Sequence, residues 1–529
     1  MAGLADGQQV FLAIGPQAPD VALGTLLGIK TLPATPAMPY GLFALYPTDA
    51  AVIDRFFRSL APERRPAGVG SSAAAGHRHA HDHGSLARDL GSQGAARFRC
   101  QRDSELRARA ELPENAAGGR PAERNIAFGF GAIENGYTGS TYEGLWVAGV
   151  LNALQHGVQL PYGADADHIQ VKRGADGLAR AKRLLEATRY YSFYRLDVSD
   201  VLDYGALTAA GGVSLAARIP DPALRRDLIA YHRQPRRVGG FDNRPDDETL
   251  GRLVGKYWVA LDAVGAMLEH IAGFKAGTPF DLELSIDEHP NEIPTFDCLT
   301  SETELIFVLL EAQRRGIPLT HVAPNFGVEK GTDYRGADGL PGFEARAHTL
   351  CRIAAELGVM ADFHSGDDLS AAARQAIGRA TAGRNHFKVS PNLQLLFAEV
   401  LADYHPALFG RWWQDSLAYA QREAAAGSAF ARDCIRQSDA DRPSAHDALF
   451  HNFSFAFVGR RNADGQFICR EEFYCLSPGF YQAYQECITS YLLELADDLF
   501  HPTLTLPDQG RVGVGLAAVY PVSNWRQHV

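Results

Sequence analysis

Between about Asn125 and Asn392 the apolar positions of this chain fall into two alternating rhythms. Short runs of strand length are separated by stretches in which apolar residues recur every three or four positions. The pattern predicts strands at 126–130, 162–166, 192–196, 280–286, 319–323, 359–363 and 386–389. The run at 280–286 is the clearest: Phe280, Leu282, Leu284 and Ile286 share one face, and Asp281, Glu283 and Ser285 share the other. Helices are predicted between the strands. In 178–189, Leu178, Ala181, Leu184 and Leu185 make one stripe. In 301–315, Ser301 and Glu304 form a capping box, Leu305, Val308, Leu309 and Ala312 form the stripe, and Gly316 ends it.

Six or more such units favour a closed (β/α)8 TIM-type barrel over an open sheet. Beyond Asn392 the pattern is mainly helical, with long amphipathic stretches at 393–403, 408–426 and 477–499, and a strand-like run at 449–459 that would close the barrel. Ser477-Pro478 is a helix-start signal. Residues 1–120 read as an irregular N-terminal extension with short strands around Val10–Ile14 and Gly41–Tyr46, ahead of a catalytic barrel at 121–529. Within the extension, 64–86 is polar and carries His77, His79, His81 and His83; we read it as a solvated flexible loop.

Composition narrows the function. Of 529 residues 46% are apolar, enough for a large core, and the net charge of -11 argues against nucleic acid as a partner. Seven cysteines without Cys-x-x-Cys spacing suit reduced thiols in a cytoplasmic protein, with neither signal peptide nor membrane span expected.

Four polar clusters stand where predicted strands end: Asp165-Ala-Asp167-His168, Asp287-Glu288-His289, Asp362-Phe-His364-Ser-Gly366 and His386-Phe-Lys388. Barrel enzymes place catalytic groups at that rim. Carboxylate with imidazole suits a divalent cation, with Zn, Mn, Ni, Co and Fe all compatible. Glu288 is placed to act as a general acid or base. His321 is either a core histidine or a ligand, and His386 and Lys388 share a strand face.

As a set these motifs resemble the tagaturonate/fructuronate epimerase family, whose members also serve as tagatose 4-epimerases. The resemblance rests on Gly163-Ala-Asp165-Ala-Asp167-His168, Glu283-Leu-Ser-Ile-Asp287-Glu288, Ala323-Pro324, Glu329-Lys330-Gly331-x-Asp333-Tyr334 and His364-Ser365-Gly366, in that order. It implies a metal-dependent barrel enzyme acting on a ketohexuronate or ketohexose. It makes Asp167 and Glu288 the acid/base pair and His168 and His364 metal ligands. His386 is the choice for third ligand, against His321 or Glu329. Asp165, Lys172, His321, Asn325, Lys330, Asp333 and Lys388 are expected around a sugar or sugar-acid substrate. Departures lie near that pocket: Val389-Ser-Pro-Asn392 follows His386-Phe-Lys388, and His321 replaces a small polar residue.

The implied reaction inverts a hydroxyl-bearing carbon β to a ketone. Deprotonation there gives no enolate, so retro-aldol cleavage and re-addition is the expected chemistry. The alternatives are a related metal-dependent sugar isomerase or class II aldolase, and a catalytically inactive barrel acting as a binding protein. Homo-oligomerisation is left open.

Overall fold

The computed structural model describes residues 50–68 and 162–500, apart from 210–211, 290–292, 329–332, 365–366, 368, 390, 455–456, 459–467, 470–471 and 474–475. Before residue 162 it also describes 2–3, 9–15, 42–46, 124–126, 132–134, 142, 146–147 and 149–150. The histidine-rich loop and Lys330 lie outside these residues.

Six parallel strands form the central sheet: β1 (Asp165–Gln170), β2 (Phe193–Asp197), β3 (Asp281–Ser285), β4 (His321–Ala323), β5 (Met360–Phe363) and β6 (His386–Phe387). Their order in the sheet is their order in the chain. Helices follow the strands: α1 (Gly177–Ala187) after β1, α2 (Asp247–Lys275) before β3, α3 (Glu302–Arg314), α4 (Gly339–Glu356), α5 (Ala371–Thr381) and α6 (Pro391–Tyr404). The result is a curled parallel half-barrel, compatible with a closed (β/α)8 barrel but showing six of its strands among the described residues.

The two faces of the sheet differ in chemistry. Tyr194, Leu196, Leu282 and Leu284 join a core with Ala181, Leu184 and Leu185 of α1 and Val254, Leu261 and Val264 of α2. Val322, Ala361 and Phe363 join a second core with Leu305 and Leu309 of α3 and Leu350 and Ala354 of α4. Burial of these apolar side chains, the Val, Leu and Phe among them contributing roughly 1.5–3 kcal/mol each, holds the helices against the convex face. The opposite, concave face carries Asp165, Arg195, Asp197, Glu283, Ser285, His321, Asp362 and His386. A sheet whose strands are apolar on one side and ionisable on the other has been shaped around a polar centre.

The helix signals act as expected. Ser301 and Glu304 make the capping box at α3, and Gly316 turns the chain out of it with φ 70°. The helix Pro478–Phe500 begins with the Phe480 N–H donating to Ser477 Oγ at 3.3 Å. Two expectations fail. The 449–459 run opens with a helix, Ala448–Phe453, because Leu449, Phe450 and Phe453 bury a helical stripe rather than alternate. The 126–130 run gives Arg124–Ile126, paired antiparallel with Ala132–Glu134 instead of joining the parallel sheet. Among the described residues Cys298, Cys351, Cys434 and Cys487 are free thiols. Among the described residues no helix is long and apolar enough to cross a membrane.

Candidate active site

Because the strands are parallel, their C-terminal ends share one edge, and there the candidate groups gather. β1 was expected to stop at residue 166; it continues to Gln170 through an irregularity. Ala166 pairs with Tyr194 and Ile169 with Leu196, so Asp167 and His168 together face the single residue Arg195. This β-bulge breaks the strict alternation of the strand. His168 adopts φ 42°, a left-handed conformation costing a non-glycine residue about 1 kcal/mol or more. The side chain of Asp167 lies outside the described set.

His168 Nδ1 lies 3.1 Å from Asp197 Oδ2 at the end of β2. Burial pushes the Asp197 carboxyl up, but the His168 hydrogen bond and charge outweigh it and hold the group well below the usual carboxylate range. Gln170 Nε2 donates to Glu288 Oε2 at 3.4 Å, and the Tyr204 hydroxyl donates to the Glu288 carbonyl oxygen at 3.1 Å. Burial, then repulsion from Asp197, pushes the Glu288 carboxyl up to about 7, against opposing charge from His168 and Lys388.

His364 follows β5 directly. Its Nε2 lies 2.9 Å from Glu283 Oε1, and its Nδ1 lies 2.9 Å from Asp287 Oδ2 in an ion-pair contact. Burial alone would lower its pKa; Asp287 and Glu283 reverse that and raise it well above the usual histidine value. Glu283, fully buried, is pushed up to about 7 by desolvation, with Arg195 opposing. Asp362 is held well below its usual range because Arg195 and His386 outweigh desolvation.

His386 Nδ1 donates to Asp362 Oδ2 at 2.8 Å. His321 packs against the rings of Phe193 and His386, at 4.8 and 5.0 Å, and its Nδ1 contacts Thr320 Oγ1 at 2.9 Å. Burial and the His386 charge hold its pKa well below the usual value, so it sits neutral in the concave layer.

Two groups of ligand atoms could each hold a metal ion: His168, Asp197 and Glu288, and Glu283, Asp362 and His386, each with atoms within 4.8 Å of one another. The expected trio is thus distributed: His168 and His386 fall in different groups and His364 in neither. Yet the His168 and His364 rings stand 5.3 Å apart. Two imidazoles on one tetrahedral ion would place their centroids about 5 Å apart, given N–metal distances of roughly 2.0–2.1 Å. Asp165 Oδ1, Glu283 Oε2, Asp287 Oδ1 and Asp362 Oδ1 are buried with no hydrogen bond, acceptors that a cation would satisfy. The donor set therefore fits a divalent ion.

The remaining expected residues divide. Lys388 is buried and its charge reaches Glu288. Asp165 binds Arg195, its Oδ2 2.9 Å from Nε. Lys172 lies at the rim, 3.7 Å from Asp200. Asn325 uses its Oδ1 to accept from the Gly327 N–H at 2.8 Å, a turn contact. Asp333 is exposed and accepts from the Ser370 N–H at 3.0 Å, tying the loop to the start of α5. His289 turns to Thr295 Oγ1 at 3.0 Å. The sequence reading missed Arg195 and Asp197. Their signal was an arginine and an aspartate at alternate positions of a strand that is otherwise aromatic and aliphatic.

A curled parallel sheet with histidines and carboxylates at its C-terminal strand ends defines an α/β protein with a metal-competent polar centre. Residues 132–428, over half of the chain, match the model of the tagaturonate epimerase family, and the protein belongs to that family. A tagaturonate/fructuronate epimerase of Thermotoga maritima is 30% identical over 284 residues, which cover 52% of this chain and 54% of that protein. The chain therefore spans about half the length of that curated relative. The crystal structure of fructuronate-tagaturonate epimerase from Cohnella laeviribosi with two glycerols superposes with a TM-score of 0.63 at 21% identity, covering 94% of this chain and 93% of that one. The native crystal structure of the same enzyme gives 0.62 at 21% identity, over 94% and 92%. That likeness establishes a shared fold along nearly the whole chain.

Proposed function

We propose that the protein is a divalent-metal-dependent epimerase that interconverts tagaturonate and fructuronate, or closely related ketohexuronates, by retro-aldol cleavage and re-addition. The observation that carries the proposal is the pairing of His168 and His364 beside Glu288, in a chain that belongs to this family.

His168 and His364 would hold the ion, with Asp197 orienting the first imidazole as carboxylates orient metal-bound histidines. A bound divalent ion would polarise the ketone oxygen and stabilise the negative charge of an enediolate. Glu288, with its pKa near neutrality, exchanges protons readily at physiological pH. In the cleavage step one member of the Asp167–Glu288 pair takes the proton of the β-hydroxyl. The bond between the α and β carbons breaks, its electron pair remaining on the α carbon as the enediolate, and the β carbon becomes an aldehyde. The aldehyde turns over, the bond re-forms on its opposite face, and the partner acid returns a proton to the new alkoxide. Lys388, buried beside Glu288, supplies positive charge for a sugar carboxylate.

The test is incubation of the purified protein with tagaturonate and with fructuronate, with and without Mn²⁺, Ni²⁺ or Zn²⁺, followed by chromatography. Each uronate should yield the other in a metal-dependent manner. Conversion of neutral ketohexoses alone, or release of free aldol fragments, would favour the isomerase or aldolase alternative. No turnover with any metal would sink the proposal.

A further inference from the structure

Arg195 is the group for which the proposed reaction has no use, and it occupies the middle of the concave face. Its side chain is 0% exposed. Nε lies 2.9 Å from Asp165 Oδ2 and 3.7 Å from Glu283 Oε2, and a terminal nitrogen lies 3.3 Å from Asp362 Oδ2. One guanidinium thus meets carboxylates from β1, β3 and β5. Two of them, Glu283 and Asp362, join His386 in the second ligand group, whose atoms lie within 4.8 Å of one another. In that group Glu283 Oε2 and Asp362 Oδ1 are buried without a hydrogen bond. Both side chains are at least 99% buried, so no bulk water compensates their charge.

We propose that Arg195 is the built-in cation of this second group, and that its guanidinium holds the place of a second divalent ion. The donors of the group, two carboxylates and an imidazole, are those of a divalent site. What distinguishes it from the His168 group is that it already contains a positive charge fixed to the chain. A guanidinium stays protonated throughout the accessible pH range, whereas a metal ion can be lost. It spreads its donors over several acceptors in a plane, as the contacts to three strands require. Removing it would leave Asp165, Glu283 and Asp362 facing one another in the interior, a charge arrangement that must find another cation or protons. A divalent ion fits that need, and the ligand atoms are already gathered.

The inference rests on the proposed metal dependence only for the count in the unaltered protein. Its own readout is the difference between variants. Metal-stripped full-length protein, Arg195→Ala and Arg195→Lys are each titrated with Mn²⁺ by equilibrium dialysis, and thermal unfolding is followed with and without Mn²⁺. Arg195→Ala should bind one ion more per chain than the unaltered protein, and Mn²⁺ should raise its unfolding temperature more. Arg195→Lys, which keeps the charge, should bind the same number as the unaltered protein. Adding Asp362→Asn to Arg195→Ala should abolish the extra ion. Equal stoichiometry in Arg195→Ala and the unaltered protein would overturn the proposal. An Arg195→Ala chain that stays unfolded in millimolar Mn²⁺ would do so too, since the ion should restore the missing charge. An unaltered protein that binds no ion, with Arg195→Ala binding one, would instead reject the catalytic metal and leave this inference standing.

Discussion

The imidazole of His168 on the first strand stands 5.3 Å from that of His364, just past the fifth. In a flat sheet, four strand intervals of about 4.8 Å would separate those positions by roughly 19 Å. Phe193 on the second strand and His386 on the sixth repeat the relationship, their rings stacked at 5.2 Å. Only a strongly curled sheet brings them together, so the half-barrel curvature itself assembles the centre. Asp197 then fixes the His168 ring through Nδ1 at 3.1 Å. Asp197→Asn keeps the shape but withdraws the charge. Divalent-metal affinity should fall about 10–100-fold, the usual effect of losing such a partner. Unchanged affinity in a Mn²⁺ titration would show that Asp197 neither orients a metal-bound His168 nor binds the ion itself.

Glu288→Gln and Asp167→Asn test the acid/base assignment. Each should lower kcat about 10²–10⁴-fold, the range associated with a positioned proton-transfer group. Metal content should stay near that of the unaltered protein. Full activity in either variant on the true substrate removes that residue from the mechanism; loss of the ion in Glu288→Gln would recast Glu288 as a ligand, since it shares a ligand group with His168 and Asp197.

Legibility from sequence followed the physics of each segment. The strand 281–285 could be read because its two faces differ, with Leu282 and Leu284 outward and Glu283 and Ser285 inward. The capping box at Ser301 and the N-cap at Ser477 are local chemistry and were equally readable. The bulge at Asp167-His168 was not readable, because its register depends on the partner strand β2 rather than on neighbours in sequence. The hub Arg195 escaped for the same reason: its partners Asp165, Glu283 and Asp362 come from three other strands, up to 167 positions away. The helix α2 carries Gly251, Gly255, Gly265 and Gly273, composition that reads as interruption. A Cβ at Gly255 would come within 2.7 Å of the Ala206 side chain, so that glycine serves close packing rather than a turn.

Stability of the metal-free protein should depend on pH through the raised carboxyls. Burial lifts Glu283 and Glu288 from 4.5 to about 7. A carboxyl with a raised folded-state pKa binds protons better in the folded state. Its stabilising contribution is complete below pH 4.5 and is lost as pH rises through about 7. The depressed Asp197 and Asp362 act oppositely, and their contribution disappears only as strong acid protonates them. Unfolding temperature without metal should therefore decline from about pH 5 to about pH 8, with Mn²⁺ flattening the decline by compensating the ionised carboxylates. A metal-free profile that rises across this interval would contradict the proton-binding state of the buried Glu283 and the half-buried Glu288.

Behind Glu288 lies a buried support whose loss should be felt as stability. Lys256 Nζ of α2 lies 2.7 Å from Glu304 Oε1 at the start of α3, and the Tyr257 hydroxyl donates to the same oxygen at 3.0 Å. The Lys256 ammonium also sits 4.1 Å from the centre of the Tyr204 ring, whose hydroxyl holds the Glu288 carbonyl. Lys256 is 2% exposed, so its removal strands a buried carboxylate. Lys256→Met should cost about 3–5 kcal/mol in denaturant unfolding, as breaking one side of a buried pair does. Glu304→Gln should cost less than Glu304→Ala, because an amide keeps the contact to the Ser301 N–H that the carboxylate now makes at 3.0 Å. Tyr204→Phe removes one hydrogen bond and should cost about 1 kcal/mol. If the network also positions Glu288, Tyr204→Phe will lower kcat while leaving metal affinity intact. A purely structural network would move the unfolding midpoint alone.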